Sequence, residues 1–305
     1  MGGVGMGNTP LFDELGHPIW MDREEFRTHV IPENIQADWD NPHNLYTFAV
    51  QLYKDGFLEE AEQGVNRLLE LTDREEEVLL LQALVLMKED KPEEGERVLL
   101  ECIDKYPDRG VAHTYLARIF AARGDREQAV QQLKEGLSKE PNQETALRMF
   151  TEWVGDPEEA ASFLEQLSET ADSWWPLLEL GKLHLKKKNS SDAMDCFQRA
   201  LDRIRGDRAE ESFPEWEEEV AAMTVSSLLR KEGLTEELIQ FSEKYWTPAY
   251  MTPFHGMDYA QALFDSGNPK GAVDILARMM EYIEPDYQNM VRLRMQQLDR
   301  IPENA

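Results

Sequence analysis

Six histidines and two cysteines are the side chains best suited to hold a metal ion or relay a proton, and their spacing suits neither task. His17, His29, His43, His113, His184 and His255 stand apart, none placed with another histidine or a cysteine at ligand spacing. Cys102 and Cys196 fall in separate apolar-periodic stretches and read as reduced, packed thiols, not as a disulfide or half a metal site. His113 and His184 sit where a helix would bury them, so both are expected to pack. The run Gly3-Val4-Gly5-Met6-Gly7 superficially suggests a phosphate loop. No strand pattern precedes it and no helix pattern follows directly, so residues 1 to 9 read as a flexible tail. Carboxylate pairs abound, but among 60 acidic side chains they arise by chance and carry no acid–base signal. The expectation is a chain with no catalytic set, no metal and no cofactor.

Charge narrows the partners. A formal net charge of −28, from 32 basic and 60 acidic residues, repels nucleic acid and anionic membrane. An acidic surface of this kind also suits a salt-rich cytoplasm. No stretch approaches the ~18 apolar residues of a membrane span. Met1-Gly2-Gly3-Val4 lacks the basic and apolar regions of a secretory signal, and Met6 stands where N-myristoylation wants Ser or Thr. With its cysteines reduced, the chain is expected in the cytoplasm.

Any functional side chain must therefore be positioned by helices. Ala61, Gly95 and Ala129 are 34 residues apart, as are Gly56, Asp90 and Gly124, and so are Pro107 and Pro141. A fixed period of this length marks stacked helical hairpins, each burying its apolar face only against a neighbour. In the first, Leu45, Phe48, Ala49 and Leu52 form a stripe expected on a helix over 42–54. After Gly56, Ala61, Val65 and Leu68 face back from a second helix expected over 58–71. Leu116, Ala117 and Phe120, then Ala129, Leu133 and Gly136, repeat the arrangement around Gly124-Asp125. Ala49, Ala83 and Ala117 are expected where two helices approach closest, and Pro107 and Pro141 where second helices stop. Glu59-Glu60 and Glu93-Glu94 fall in first turns and Lys54, Lys88 and Lys186 near last turns, placements that each favour the helix dipole by about 0.3–1 kcal/mol.

These residues resemble the tetratricopeptide repeat family, whose units carry a large apolar residue, Leu-Gly or Leu-Ala, an aromatic, Ala, an aromatic, Ala and Pro at these offsets. A later unit resembles it well through Leu177, Leu180-Gly181, His184, Ala193, Phe197 and Ala200, and the last through Tyr259-Ala260, Leu263, Gly267, Ala272 and Leu276. The resemblance implies an all-α, right-handed superhelical solenoid of about seven hairpins with caps at both ends. Residues 1–41 are read as a tail plus capping helices at Asp22 to Val30 and Pro32 to Trp39. Residues 42–285 are read as units near 42–75, 76–109, 110–143, 144–173 (short), 174–207, 215–252 (divergent) and 253–285, followed by a capping helix in 286–305. In the short unit the first helix should end near Val154, with Asp156 capping the next helix and Pro157 in its first turn. The segment Lys244 to Tyr259 replaces a tight turn with aromatics and prolines, either as a functional loop or as a seal over an imperfect junction.

By the family's geometry, the second, fifth, ninth, twelfth and thirteenth residues of each first helix line a concave groove. Those columns hold eight basic residues, Lys54, Lys88, Arg118, Arg148, Lys182, Lys186, Arg230 and Lys231, against Glu77, Glu152 and Asp265. Tyr46, Tyr53, Leu80, Leu84, Met87, Trp175, Leu178, Phe254 and Phe264 share them. The family's carboxylate clamp for chaperone tails needs Lys and Asn in one unit, then Asn, Lys and Arg in the next two. Tyr46, Val50, Leu81, Val111 and Tyr115 stand there instead, so that clamp is excluded in this register.

The resemblance thus implies a non-catalytic interaction scaffold or adaptor, holding a peptide or helix of another protein in the groove. The acidic chain with a basic groove favours an acidic ligand with apolar anchors, at Tyr46, Tyr53, Lys54, Leu80, Leu84, Met87, Lys88, Arg118, Arg148, Trp175, Lys182 and Lys186. A regulatory subunit of an enzyme complex, self-association through 244–259 or the N-terminal arm, and an enzyme with an unrecognised site are the alternatives.

Overall fold

Helical periodicity becomes helices because each apolar stripe meets another. A computed structural model describes residues 9–12, 18–72, 75–170, 173–206 and 214–299, divided between two compact units, 1–139 and 140–305. Among the described residues the fold is all-α apart from one two-stranded ribbon.

That ribbon opens the first unit. Strands β1 (Thr9–Phe12) and β2 (Pro18–Met21) run antiparallel with Leu11 opposite Ile19, an element that the apolar pattern alone did not announce. Asp22 then caps α1 (Arg23–Glu25) by accepting the backbone N–H groups of Glu24 and Glu25. Two separate helices were expected over 22–39. Instead α1 runs through a π-helical turn, Phe26–Val30, into α2 (Ile31–Ala37). The Ile31 N–H bonds the Phe26 carbonyl, five residues back. This wider turn relieves the contact that the Pro32 ring makes with the preceding turn, so the proline need not break the helix.

Three hairpins follow: α3 (Pro42–Asp55) with α4 (Leu58–Leu71), α5 (Glu75–Lys88) with α6 (Pro92–Lys105), and α7 (Val111–Ala122) with α8 (Arg126–Lys139). The first pair meets the expected spans at 42–54 and 58–71. Phe26, Ile31 and Ile35 share one core with Leu45, Ala49, Leu52, Phe57, Ala61, Val65 and Leu68, so the N-terminal helices cover the first hairpin. Arg23 reinforces the contact by donating to the Asp55 carbonyl at 2.7 Å and stacking over Phe57. Ala49, Ala83 and Ala117 are fully buried, and a Cβ added to Gly64 would lie 3.3 Å from the Ala49 methyl. Small residues are therefore what lets these helices approach.

Each first helix ends in the same way. Gly56, Asp90 and Gly124 have φ of 80°, 63° and 82°, the left-handed region. The next N–H in each case reaches back five residues: Phe57 to Leu52 O, Lys91 to Leu86 O and Asp125 to Phe120 O, all at 2.9 Å. This is the hydrogen-bond pattern of a Schellman stop.

The second unit repeats the theme with less regularity. It comprises α9 (Glu144–Trp153) and α10 (Pro157–Leu167), α11 (Trp175–Lys186) and α12 (Ser190–Arg205), α13 (Trp216–Glu232) and α14 (Thr235–Tyr245), α15 (Phe254–Asp265) and α16 (Pro269–Met279), and α17 (Pro285–Asp299). Asp156 caps α10 as expected, accepting from Glu158 N at 2.9 Å. Val291 and Leu298 of α17 join the core of the last hairpin with Tyr259, Ala272 and Leu276. Half of the 244–259 segment is helix: α14 extends to Tyr245 and α15 starts at Phe254, leaving 246–253 as the connection. Tyr245 and Tyr250 are buried with Phe241, so these aromatics seal the junction. Among the described residues no helix is long and apolar enough to cross a membrane.

Candidate functional site

On the first-helix face of the first unit, α3 and α5 lie side by side and their ends meet through one cation. Lys88, the last residue of α5, donates its Nζ to the Tyr53 carbonyl at 2.6 Å and sits 4.6 Å from the Tyr53 ring centre. It thereby caps a carbonyl of the last turn of α3, where a positive charge also suits the helix dipole. Lys54 is exposed beside it, and its carbonyl lies 3.4 Å from the same ammonium. One hairpin further on, Arg118 of α7 is exposed and lies over the Tyr115 ring at 6.0 Å. Burial raises the Tyr115 hydroxyl pKa, Arg118 lowers it, and nearby Tyr53 raises it slightly further. Tyr53 with Lys88 and Tyr115 with Arg118 thus make two pairs of ring and cation, close enough for the tyrosines to influence each other. Sequence reasoning passed over Tyr115 as a lining residue, because it stands one place beyond the fifth column of its unit. Leu80, Leu84 and Met87 of α5 and Tyr46 of α3 are half-buried, leaving apolar surface beside the cations.

Tyr46 also walls a small apolar cavity of about 120 Å³, closed by Pro42, His43, Leu68, Thr72 and Val78. No sequence signal marked it, because its walls come from α3, the end of α4 and the start of α5.

Elsewhere cations tie helix ends together, within a hairpin and at the connections that follow one. Lys105 reaches Glu75 at 2.6 Å, Arg109 reaches Glu76 at 3.0 Å, and Lys139 donates to the Pro107 carbonyl. The acidic first turn of α5 thus has partners about one repeat away, which a reading of such charges as helix-dipole charges alone did not include.

In the second unit the expected site residues divide. Arg148 and Lys186 are exposed, and Trp175 is half-buried with its ring 4.6 Å from that of Trp174. Lys182 is committed to buried Glu179 at 2.5 Å, and Arg230 pairs with Asp258 at 3.1 Å. Leu178 is fully buried in the core and lines no surface, because it packs inward with Leu177 between α11 and its partners. Phe254 remains 41% exposed, against the ring of Tyr287.

Several polar groups capable of chemistry are packed away. Ser242 Oγ lies 3.0 Å from His255 Nε2, a serine–histidine contact that separation in sequence concealed. Both residues are 1% exposed, and His255 Nδ1 has no partner, so no third group orients the ring and no substrate reaches it. Burial, assisted by Arg205, pushes the His255 pKa down to about 3. Around it, Glu219 accepts from Met251 N, Thr252 N and Thr252 Oγ1, and Tyr250 donates to the Tyr245 carbonyl at 2.9 Å. This network pins the 246–253 connection against α13 and α14. His113 is buried with Nδ1 2.8 Å from Gln132 Oε1, and His184 is half-buried. Burial pushes the Cys102 and Cys196 thiols up to about 11, which makes them unreactive. Among the described residues no cluster of His, Cys, Asp or Glu could hold a metal ion.

Two family models match the chain, both described as tetratricopeptide repeat, over residues 77–109 and 110–135. They cover α5 through most of α8 without a gap. No curated protein is similar enough in sequence to match. Among solved structures, yeast Tom70 is 9% identical at a TM-score of 0.47, covering 90% of this chain and 59% of that one. TTC0263, a thermophilic TPR protein from Thermus thermophilus, is 19% identical at 0.35, covering 54% and 93%. YrrB, described as a TPR protein with an unusual peptide-binding site, is 16% identical at 0.35, covering 59% and 94%. The chain thus spans 59% of the Tom70 structure's length, and likenesses at these scores say nothing about binding.

Proposed function

We propose that this chain, a tetratricopeptide-repeat protein, is a non-catalytic cytoplasmic scaffold that holds an acidic peptide or helix of another protein against the first helices of its hairpins. Two ring–cation pairs in a chain of net charge −28 support the reading, Lys88 over Tyr53 and Arg118 over Tyr115, with Lys54 exposed and Leu80, Leu84 and Met87 half-buried. Rings and aliphatic side chains supply area to bury, and the cations orient an acidic ligand and reject a basic one. Tyr46 is proposed with these residues, while in the second unit, taken by itself, Arg148, Trp175, Lys182 and Lys186 are proposed to line its own first helices. Lys182 has the least to offer there, being paired with Glu179.

Fluorescence anisotropy with pools of acidic, leucine-containing peptides tests this. Binding to the native chain should fall about tenfold in a combined Lys54→Glu and Lys88→Glu variant that keeps its helical circular dichroism. Undiminished binding by that folded variant refutes the electrostatic site.

A further inference from the structure

Two features of the first unit lie at opposite ends of the same pair of helices. The apolar cavity beside Tyr46 lies at the first turns of α3 and α5, where Pro42, His43 and Val78 line it. Its volume of about 120 Å³ is of the order of the ~150 Å³ apolar cavity that admits benzene, so a leucine-sized side chain fits. Lys88 Nζ, fixed on the Tyr53 carbonyl, lies at the last turns of this pair, and Arg118 lies over Tyr115 within α7, the next first helix. Lys88 is already held by a backbone carbonyl, so little side-chain entropy is lost when an anion joins it. Two of its three N–H groups can face the carbonyls of Tyr53 and Lys54, leaving one for a ligand.

The helix rise fixes the distance between the two features. Tyr46 and Tyr53 are seven residues apart on α3, about 10 Å at ~1.5 Å per residue, and the far wall at Pro42 extends this to about 16 Å. An extended peptide advances about 3.3–3.6 Å per residue. The geometry points to a spacing rule: the first unit reads an extended peptide in which an apolar side chain, seated beside Tyr46, is followed or preceded about three to five residues away by a side-chain carboxylate held by Lys88 and Arg118. The occupant is an acidic segment of another protein, because like charge on this chain's own surface disfavours a second copy. The rule rests on the scaffold reading above and adds a register to it.

Peptide pools with blocked termini, one fixed leucine and one fixed glutamate at increasing separation on either side, provide the probe. Anisotropy against the full chain should show the tightest binding at a separation of about three to five on one side. Arg118→Glu, an exposed change, should weaken that pool about tenfold and leave leucine-only pools unchanged. Tyr46→Ala should remove the preference for leucine. Binding that depends on Lys88 and Arg118 but not on separation overturns the spacing rule and leaves the scaffold reading intact. Binding that survives the combined Lys54→Glu and Lys88→Glu change, or that is absent from every pool, overturns both.

Discussion

Replacing Asp90 by glycine should stabilise the first unit, whereas replacing Gly124 by alanine, at the equivalent position one repeat later, should destabilise it. Both residues stop a first helix with φ near 60–80° and a following N–H bonded five residues back. A non-glycine residue in this region costs roughly 1–2 kcal/mol, less for Asp, whose short polar side chain is better tolerated. Glycine gives back about 0.4–1 kcal/mol through the larger entropy of the unfolded chain. The net expectation is a gain of about 0.5 kcal/mol for Asp90→Gly and a loss of about 1 kcal/mol for Gly124→Ala. No side-chain contact complicates the comparison. Asp90 is exposed, and a Cβ at Gly124 would meet nothing within 4 Å. With a urea slope of about 1–3 kcal/mol/M, the midpoints should move up by roughly 0.2–0.5 M and down by roughly 0.3–1 M. Urea titration followed by circular dichroism reads both, with hydrogen exchange at α5 and α6 locating the first. If both substitutions shift the midpoint in the same direction, the helix stop does not work through backbone conformation as argued.

Gly136→Ala should lower stability by about 1–3 kcal/mol, since its Cβ would lie 2.7 Å from the Gly110 carbonyl oxygen, and an unchanged urea midpoint would contradict that packing. Ala129→Phe, at a fully buried crossing, should cost a similar ~1–3 kcal/mol, with the loss seen by hydrogen exchange in the neighbouring hairpins and not along the whole chain. His255 is held neutral with its pKa near 3, below its unfolded value of about 6.5, so the unfolded chain binds the extra proton between these limits. The stability this residue contributes is complete above pH ~6.5 and is lost as pH falls towards 3, so His255→Gln should flatten the pH dependence of unfolding in that window. Cys102 and Cys196, buried with pKa values near 11, should resist a thiol reagent at pH ~8 in the folded chain and react once it is unfolded; rapid native labelling would place them at the surface.

The chain's own sequence determined the repeat period, the helix pairs and their ends. Gly56, Asp90 and Gly124 mark stops because helix termination is decided within about six residues, by one left-handed residue and one backward hydrogen bond. Asp156 and Pro157 marked a start for the same local reason. The ribbon near the N-terminus and the π-helical turn escaped, since strand pairing and helix widening depend on neighbours that the apolar pattern does not name.

Tertiary structure alone decided what the charged and aromatic side chains do. Lys88 read as a groove cation, yet it caps the helix one repeat earlier, and Glu75 at the start of α5 receives Lys105 from the end of the next helix. Tyr245, Tyr250 and His255 read equally as a functional loop or as a seal over the junction, and packing with Phe241 buries them. Such contacts follow from how helices pack within a hairpin and on the next one. The cavity beside Tyr46 has the same origin, since α3, α4 and α5 must stack before it exists. Short-range backbone energetics are written in consecutive residues, whereas partner choice between side chains depends on helix crossing, which local sequence does not encode.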